Sequence, residues 1–324
     1  MGLIHRVPWP WRPGGWVERR PAGDTNQKWR WVCSSSDGQK LGACAYDARL
    51  YTSADGGDTW TERRPAGNTN KGWIGIASSA DGSHLIACCD GAGIVYTSTD
   101  GGANWTPRYP LYPTTTSTWA AVCSDSDGSN LGAIVLSGFI WLSNDGGASW
   151  FKSQPAALGI NAESWISIAS NSDGSVIVAC FGGSGGRVFK STDSGASWSE
   201  LLPAGAGTKS WHCVDCDSSG NYILAISLAG RIWYSTNGGS TWTEVRPIGN
   251  ANGTWTVGKL SRDGLQIFVS NYGGRLYTSE DGGSTWQEQQ PIDAANHNWW
   301  PVGMGADEST MIAGVYGGRL YTYS

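Results

Sequence analysis

The octapeptide Ser53-Ala54-Asp55-Gly56-Gly57-Asp58-Thr59-Trp60 is the first of six similar phrases in this chain. The tryptophan that ends each later phrase follows the one before it by 44 to 48 residues, at Trp105, Trp150, Trp198, Trp242 and Trp286. Trp16 lies 44 residues before Trp60, and both are followed, one residue later, by Glu-Arg-Arg-Pro. Self-similarity at such a period is typical of supersecondary modules that stack or pack around an axis. The sequence therefore predicts seven repeat units.

Each unit has the pattern of four short strands. In the second unit, apolar or β-branched runs alternate with turns rich in Asp and Gly, at Trp73–Ser78, His84–Cys88, Ile94–Ser98 and Trp105–Tyr109. Runs of this kind predict antiparallel hairpins. Seven four-stranded sheets bury both of their faces when they pack radially about a central channel. The prediction is an all-β fold, a seven-bladed β-propeller of four-stranded blades that occupies residues 1–324 as one domain.

The chain ends predict how the ring closes. The last unit stops at Arg319–Ser324, which is its third strand, and it lacks a fourth. Residues Trp16–Arg20 have the pattern of a fourth strand and belong to no complete unit. We therefore expect the N- and C-terminal strands to share one blade.

Composition argues against two classes of partner. The 324 residues contain 22 Lys and Arg against 27 Asp and Glu, with a net charge of −5 and no basic run, so nucleic acid is not an expected partner. The mean hydropathy is −0.30, and no apolar run approaches the roughly 20 residues that a membrane helix needs. Membrane insertion is therefore not expected.

The N-terminus and the cysteines bear on the cellular compartment. Residues Met1–Trp9 lack a basic region followed by an apolar core, so no secretory signal peptide is predicted. Cys44, Cys88 and Cys180 occupy the same second-strand position in three units, and equivalent positions in separate blades are too far apart for a disulfide. We expect free thiols, as in a reducing compartment, and the sequence does not identify the location itself.

The repeated phrase resembles the Asp-box, or BNR repeat, of bacterial sialidases, sortilin-type receptors, some glycoside hydrolases and the photosystem II assembly factor family. The resemblance covers nearly the whole chain and implies that the box lies between the third and fourth strands, away from the face that binds substrate. A short Asx side chain in such a turn accepts hydrogen bonds from backbone N–H groups, and glycine supplies a positive φ. The box residues are therefore expected to be structural: Asp55, Asp100, Asp145, Asp193, Asn237 and Asp281. No metal site and no cofactor are expected.

Catalytic residues are not predicted. Sialidases with this repeat carry a Phe/Tyr-Arg-Ile-Pro motif, three arginines for the substrate carboxylate, a Tyr/Glu nucleophile pair and an acid/base Asp, and this chain lacks the motif. A glutamate stands two positions after the tryptophan in most units, whereas an acid/base pair needs an asymmetric site. We therefore expect these glutamates on the solvated outermost strands: Glu18, Glu62, Glu200, Glu244 and Glu288. A sialidase-type glycoside hydrolase stays as an alternative function.

A second tryptophan series opens the first strand of every unit, at Trp29, Trp73, Trp119, Trp165, Trp211, Trp255 and Trp299. The residues expected beside it on the same face are Asn26, Asn70, Asn252 and Asn296, with Arg49, Arg187, Arg231, Arg275 and Arg319. Aromatic rings flanked by amide and guanidinium donors suit sugar rings or the loops of a protein partner. Thr116, Ala162 and Thr208 replace the amide in units three to five, where binding should be weaker. The alternative is that the tryptophans only separate neighbouring blades and the arginines cap them.

The sequence thus favours a non-catalytic recognition or scaffold propeller, with glycan binding at tryptophan-lined clefts between blades as the specific hypothesis. A protein partner is the alternative ligand. A structural subunit of a larger assembly is a further possibility.

Overall fold

The computed structural model of the chain describes residues 15–91, 93–111, 117–158, 163–183, 185–205, 209–305 and 310–323. Within these ranges the chain forms 28 β-strands and one 3-10 turn at Ala156–Leu158. No helix in the same ranges is long and apolar enough to cross a bilayer. The all-β class expected from the sequence is confirmed.

Four antiparallel strands build each unit, and the seven units are the blades of a β-propeller. The first strands of blades 1 to 7 are β2 (Gln27–Ser34), β6 (Trp73–Ser78), β10 (Trp119–Ser124), β14 (Glu163–Ser170), β18 (Trp211–Cys216), β22 (Trp255–Leu260) and β26 (His297–Met304). The second strands are β3 (Leu41–Tyr46), β7 (Leu85–Cys89), β11 (Leu131–Gly138), β15 (Ile177–Phe181), β19 (Ile223–Ser227), β23 (Ile267–Gly274) and β27 (Met311–Gly318).

The outer half of each blade consists of its third and fourth strands. The third strands are β4 (Leu50–Ser53), β8 (Val95–Ser98), β12 (Ile140–Ser143), β16 (Arg187–Ser191), β20 (Ile232–Ser235), β24 (Leu276–Ser279) and β28 (Leu320–Tyr323). The fourth strands are β5 (Thr61–Arg63), β9 (Thr106–Arg108), β13 (Phe151–Ser153), β17 (Ser199–Leu201), β21 (Thr243–Val245), β25 (Gln287–Gln289) and, in blade 7, β1 (Trp16–Arg19). In the second unit, each strand end predicted from the sequence lies within one residue of the observed end.

The two ends of the chain close the ring, as the sequence predicts. Strand β1 pairs antiparallel with β28, so that Trp16 lies opposite Tyr323 and Arg19 opposite Leu320. The Trp16 ring also packs against Tyr323 at a centroid distance of 5.6 Å and against Phe268 of blade 6 at 6.1 Å. The N-terminal strand therefore completes blade 7 and contacts its neighbour.

The propeller has two different faces. The turn after the first strand and the turn after the third strand lie together, because Gly56 N–H donates to Gln39 O at 2.8 Å. We call the face that carries these turns the box face. The opposite face carries the loops that follow the second and fourth strands, and we call it the loop face.

Backbone hydrogen bonds join the blades around the channel on the box face. Ser36 N–H donates to Ala80 O at 2.7 Å. The same link, at 2.8 to 3.2 Å, repeats from Ala80 to Ser126, Ser126 to Ser172, Ser172 to Ser218 and Ser218 to Arg262. These backbone bonds connect blades 1 to 6, and the hydroxyl groups of Ser126, Ser172 and Ser218 donate to the same carbonyl groups as their backbone N–H groups do.

The tryptophan of each first strand lies in the core between blades. All seven rings are 0–2% exposed. Six of them pack against an aromatic ring of the third strand at centroid distances of 5.3 to 6.2 Å, in the pairs Trp29–Tyr51, Trp73–Tyr96, Trp165–Phe189, Trp211–Trp233, Trp255–Tyr277 and Trp299–Tyr321. Edge-to-face packing of this kind stabilises a pair beyond the area it buries. The second tryptophan series is therefore the main packing element of the blades.

Candidate functional site

The burial of the second tryptophan series corrects the expectation that these rings line clefts open to a sugar. Trp29, Trp73, Trp119, Trp165, Trp211, Trp255 and Trp299 present no ring face to solvent. A sugar bound by stacking needs an accessible ring face. Their burial agrees with the alternative expectation from the sequence, in which these tryptophans pack between neighbouring blades.

The arginines that open the third strands hold loops of their own blades. Arg319 Nη1 donates to Gly23 O at 2.6 Å. Arg49 and Arg231 contact the equivalent carbonyl groups, at 3.2 Å from Gly67 O and Gly249 O respectively. These guanidinium groups therefore serve the loops that follow the fourth strands.

Of the remaining residues predicted for the site, two arginines form ion pairs and three asparagines are exposed to solvent. Arg187 pairs with Glu200 at 3.2 Å. Arg275 pairs with Glu288 at 2.6 Å and also donates to Asn296 Oδ1 at 3.0 Å. Three amides, Asn26, Asn70 and Asn252, are exposed on the loop face. Thr116, Ala162 and Thr208 lie outside the described residues.

The repeated turn is held by its Asx side chain. Asp55 Oδ1 accepts hydrogen bonds from Ser53 Oγ and Thr59 N, both at 2.8 Å, while Oδ2 accepts from Thr59 Oγ1 at 2.6 Å. Gly57 has a φ of 94° and its carbonyl accepts from Trp60 Nε1 at 2.9 Å. The bond from the backbone N–H four positions later to the Asx Oδ1 recurs at Asp100, Asp145, Asp193, Asn237 and Asp281. The carboxylates are thus used inside their own turns.

Hydrogen bonds from the residue four positions later lower the pKa of four of these carboxyl groups. The pKa falls to about 2 at Asp55, Asp100, Asp145 and Asp193. A carboxylate that accepts several hydrogen bonds is favoured in its charged form. At pH 7 these side chains are therefore anionic acceptors and not acids available for proton transfer.

The repeated glutamates of the fourth strands lie in ion pairs with arginines. Glu18 contacts Arg20, and the other pairs are Glu62–Arg64, Glu200–Arg187, Glu244–Arg246 and Glu288–Arg275. Each pair belongs to a separate blade. No group of three or more His, Cys, Asp or Glu side chains in the described part of the chain is arranged to hold a metal ion.

The structure gathers a different set of residues at the channel mouth of the loop face. The strand register shifts directly after each buried tryptophan, so the next residue has no partner in the ladder. Such a bulge redirects a side chain. In blades 1, 5 and 7 the redirected residues are Arg30, His212 and Trp300.

Trp300 is the centre of this cluster. The Arg30 guanidinium carbon lies 4.5 Å from the Trp300 ring centroid, a cation–π contact. The His212 ring meets the same indole edge-on at 5.9 Å, and the rings of Tyr272 and Tyr316 lie at 5.7 and 5.9 Å. Arg30 has no ion-pair partner among the residues that the structure describes. One cation and three aromatic rings therefore surround one indole.

His212 is neutral in this setting. Its Nδ1 lies 2.8 Å from Thr256 O, and because a carbonyl can only accept, Nδ1 carries the proton. Burial lowers the pKa of His212 below its ordinary value. The ring therefore keeps an unprotonated Nε2.

The rim of the same mouth is rich in apolar side chains. Where the second strands end, the successive blades carry Tyr46, Asp90, Leu136, Gly182, Leu228, Tyr272 and Tyr316. Leu136 is 45% exposed and Leu228 37% exposed. Tyr46 Oη donates to Asp90 Oδ2 at 2.6 Å, which joins blades 1 and 2 on the rim. We call these residues, with Arg30, His212 and Trp300, the mouth cluster.

Sequence reasoning missed the mouth cluster because it searched for what the units share. The signal was a difference between units: the residue after the buried tryptophan is Arg30, Ile74, Ala120, Ile166, His212, Thr256 and Trp300 in turn. Only the closed ring shows that the exceptions from blades 1, 5 and 7 meet at one mouth.

No family model and no curated protein matches this sequence. Among solved structures, YCF48 bound to D1 peptide is similar over 97% of this chain and 97% of that chain, with a TM-score of 0.72 and 17% identity. YCF48 from Cyanidioschyzon merolae is similar over 95% and 98% of the two chains, with a TM-score of 0.68 and 16% identity. The β-propeller domain of Myceliophteria thermophila Cps50 (Swd1) is similar over 91% and 96%, with a TM-score of 0.69 and 13% identity. At these identities the likeness shows the fold, and the fold is that of a β-propeller.

Proposed function

We propose that the chain is a non-catalytic recognition propeller, working as one domain, that binds a protein partner at the mouth cluster. The observation that carries this proposal is the Arg30–Trp300 stack surrounded by an apolar and tyrosine-rich rim. Tyr, Trp and Arg are enriched at the cores of protein interfaces, and contiguous exposed apolar surface marks such sites. Leu136 of blade 3 and Leu228 of blade 5 supply exposed apolar contacts on the rim of the mouth.

A solved relative in fold gives indirect support. One of the similar propellers is YCF48 bound to D1 peptide, so a propeller of this fold accepts a peptide ligand. Its identity to this chain is 17%, and we therefore transfer only the class of ligand, not the residues that bind it.

The glycoside hydrolase alternative has less support from the geometry. A retaining glycosidase needs two carboxyl groups about 5 Å apart, and an inverting one needs them about 6.5–9.5 Å apart. The repeated glutamates are distributed over separate blades and each one contacts an arginine.

Site-specific photocrosslinking in the native host tests the proposal. A benzophenone amino acid at Leu228, on the rim, is compared with one at Leu265 on the box face, since the two leucines are 37% and 41% exposed. We expect one protein to be captured from Leu228 and not from Leu265. Capture from Leu228 should disappear when Arg30→Ala and Trp300→Ala are combined. Equal capture from both positions, or capture that survives the double substitution, would contradict the proposal.

A further inference from the structure

Three neighbouring grooves between blades are built around the same arginine. The last residue of the fourth strand is Arg in blades 7, 1 and 2. In each case Nε donates to a threonine Oγ1 of the third strand, in the pairs Arg19–Thr322 at 2.7 Å, Arg63–Thr52 at 2.7 Å and Arg108–Thr97 at 2.9 Å. The threonine fixes the guanidinium and leaves both Nη groups free to bind another partner.

The groove between blades 7 and 1 shows what such a guanidinium binds. Arg19 Nη1 lies 2.8 Å from Asp58 Oδ1, and Asp58 belongs to the repeated turn of blade 1. The Arg19 side chain is 13% exposed and the Asp58 side chain 70% exposed. The carboxylate therefore covers a mostly buried cation from the solvent side.

The next groove has the same walls but lacks this carboxylate. Ala103 occupies in blade 2 the position that Asp58 occupies in blade 1. The two turns lie at the same distance from the preceding blade. A Cβ added to Gly57 would lie 3.0 Å from the methyl group of Thr322, and a Cβ added to Gly102 would lie 3.0 Å from the methyl group of Thr52. Among the described residues Arg63 has no ion-pair partner.

A cavity of about 360 Å³ lies in front of Arg63. Its wall includes Lys40, Thr52, Thr61 and Arg63 from blade 1 with Ser83 and Asp100 from blade 2. Asp100 already accepts hydrogen bonds within its own turn. Two cations against one anion give the groove a positive balance, with hydroxyl groups around it.

We propose that the groove between blades 1 and 2 binds a carboxylate on Arg63, contributed by a glutamate or aspartate side chain of a protein partner. The chain supplies this group itself in the preceding groove, which identifies the chemistry of the missing ligand. Arginine and carboxylate form paired, charge-assisted hydrogen bonds. The site lies on the box face and is therefore separate from the mouth cluster. Arg108 opposite Ala148 repeats the arrangement one groove further on.

Arginine side-chain NMR tests the proposal, with the Nε–H signals assigned through single Arg→Lys variants. The probe is a blocked hexapeptide that contains two glutamates, and the controls are the same peptide with glutamines and sodium acetate. We expect the Arg63 signal to shift saturably with the glutamate peptide and at least about ten-fold more weakly with either control. The Arg19 signal should not move, because Asp58 already occupies it. An unmoved Arg63 signal would overturn the proposal, and acetate binding as tightly as the peptide would overturn the choice of a protein segment.

Substitutions at the turn separate binding from folding. Ala103→Asp should supply the carboxylate in cis and reduce peptide affinity at Arg63 by at least about ten-fold, whereas Ala103→Asn should change it by less than about two-fold. Asp58→Ala should make Arg19 responsive to the peptide. Trp300→Ala should leave the Arg63 response unchanged, so failure of this site and failure of the mouth cluster are distinguishable. Retained affinity in Ala103→Asp would contradict the assignment.

Discussion

Lys259 and Asp215 form an ion pair inside the channel, with Nζ 3.1 Å from Oδ1 and the two residues on the first strands of neighbouring blades. Both line a cavity of about 250 Å³ on the channel axis. The other blades carry small residues at this position: Cys33, Ala77, Cys123, Ala169 and Gly303. Asp215 Oδ2 also accepts from Leu260 N–H at 2.8 Å, so both of its oxygens have partners.

The first prediction concerns this pair. Burial opposes the charge on Lys259, but the Asp215 carboxylate outweighs it and the pKa of Lys259 is raised. The Asp215 side chain is 9% exposed and that of Lys259 25% exposed, so loss of the carboxylate leaves a partly solvated cation without its partner. Asp215→Asn should therefore lower the free energy of unfolding by about 1–3 kcal/mol, between the values for surface and buried pairs. Urea denaturation measures the change.

A double variant provides the control for the channel pair. Asp215→Asn combined with Lys259→Met removes both charges and should recover most of the lost free energy of unfolding. The assignment fails if the single variant is as stable as the unchanged protein, or if the double variant is no more stable than the single one.

The second prediction concerns acid stability. The pKa of four turn aspartates, Asp55, Asp100, Asp145 and Asp193, is lowered to about 2, below the value of 3.8 for an unperturbed group. Their contribution to stability is therefore complete above pH 4 and is lost as the pH falls through about 2. The melting temperature should fall over this interval, as followed by circular dichroism.

Asp55→Asn tests whether the turn aspartates cause this acid transition. Asn237 already makes the equivalent contacts in blade 5, where Oδ1 accepts from Thr241 N at 2.8 Å and Nδ2 donates to Thr241 Oγ1 at 2.8 Å. Asp55→Asn should therefore fold at pH 7 and lose less stability between pH 4 and pH 2. Asp55→Ala should instead lower the melting temperature at pH 7 by about 2–4 °C. An unchanged acid profile in Asp55→Asn would assign the transition to other carboxyl groups.

The third prediction concerns ring closure. Deleting residues 1–20 removes β1 and leaves β28 with an unpaired edge, which invites pairing with other chains. The shortened chain should aggregate and melt at a lower temperature. A synthetic peptide that covers residues 15–23, added in excess, should restore both properties by occupying the edge. A monomeric deletion variant with an unchanged melting temperature would show that closure does not depend on β1.

The elements that could be predicted from the sequence are those that repeat in every unit. The turn between Ser53 and Trp60 recurs with its hydrogen bonds, and the incomplete last unit indicates that β1 pairs with β28. Repetition did not reveal the burial of Trp29 and its equivalents, because packing and multivalent recognition both produce one tryptophan per blade. The decisive quantity is the exposed fraction of the ring, which depends on how closely neighbouring blades approach.

The mouth cluster and the Arg63 groove could not be predicted for another reason. The mouth cluster arises from exceptions to the repeat that are distant in sequence and meet only when the ring is closed, whereas the Arg63 groove depends on how two consecutive blades pack. Arg30 contacts Trp300 across 270 residues of chain, at 4.5 Å. Arg63 resembles Arg19 in sequence, and only the structure shows that Asp58 covers one of these cations while Ala103 leaves the other uncovered.

The last prediction separates packing from recognition at one unit. Trp73 is 1% exposed and its ring meets Tyr96 edge-on at 5.5 Å, whereas Asn70, three residues earlier, is exposed on the loop face. Deleting a buried aromatic ring leaves a cavity, so Trp73→Ala should lower the free energy of unfolding by about 3–5 kcal/mol. Trp73→Phe keeps an aromatic edge against Tyr96 and should be less damaging. Asn70→Ala should stay within about 0.5 kcal/mol of the unchanged protein, because an exposed loop amide contributes little to folding. Urea denaturation of the three variants measures all of these values. A stable Trp73→Ala variant would place that ring outside the core, since only a side chain without packing partners is removed at no cost.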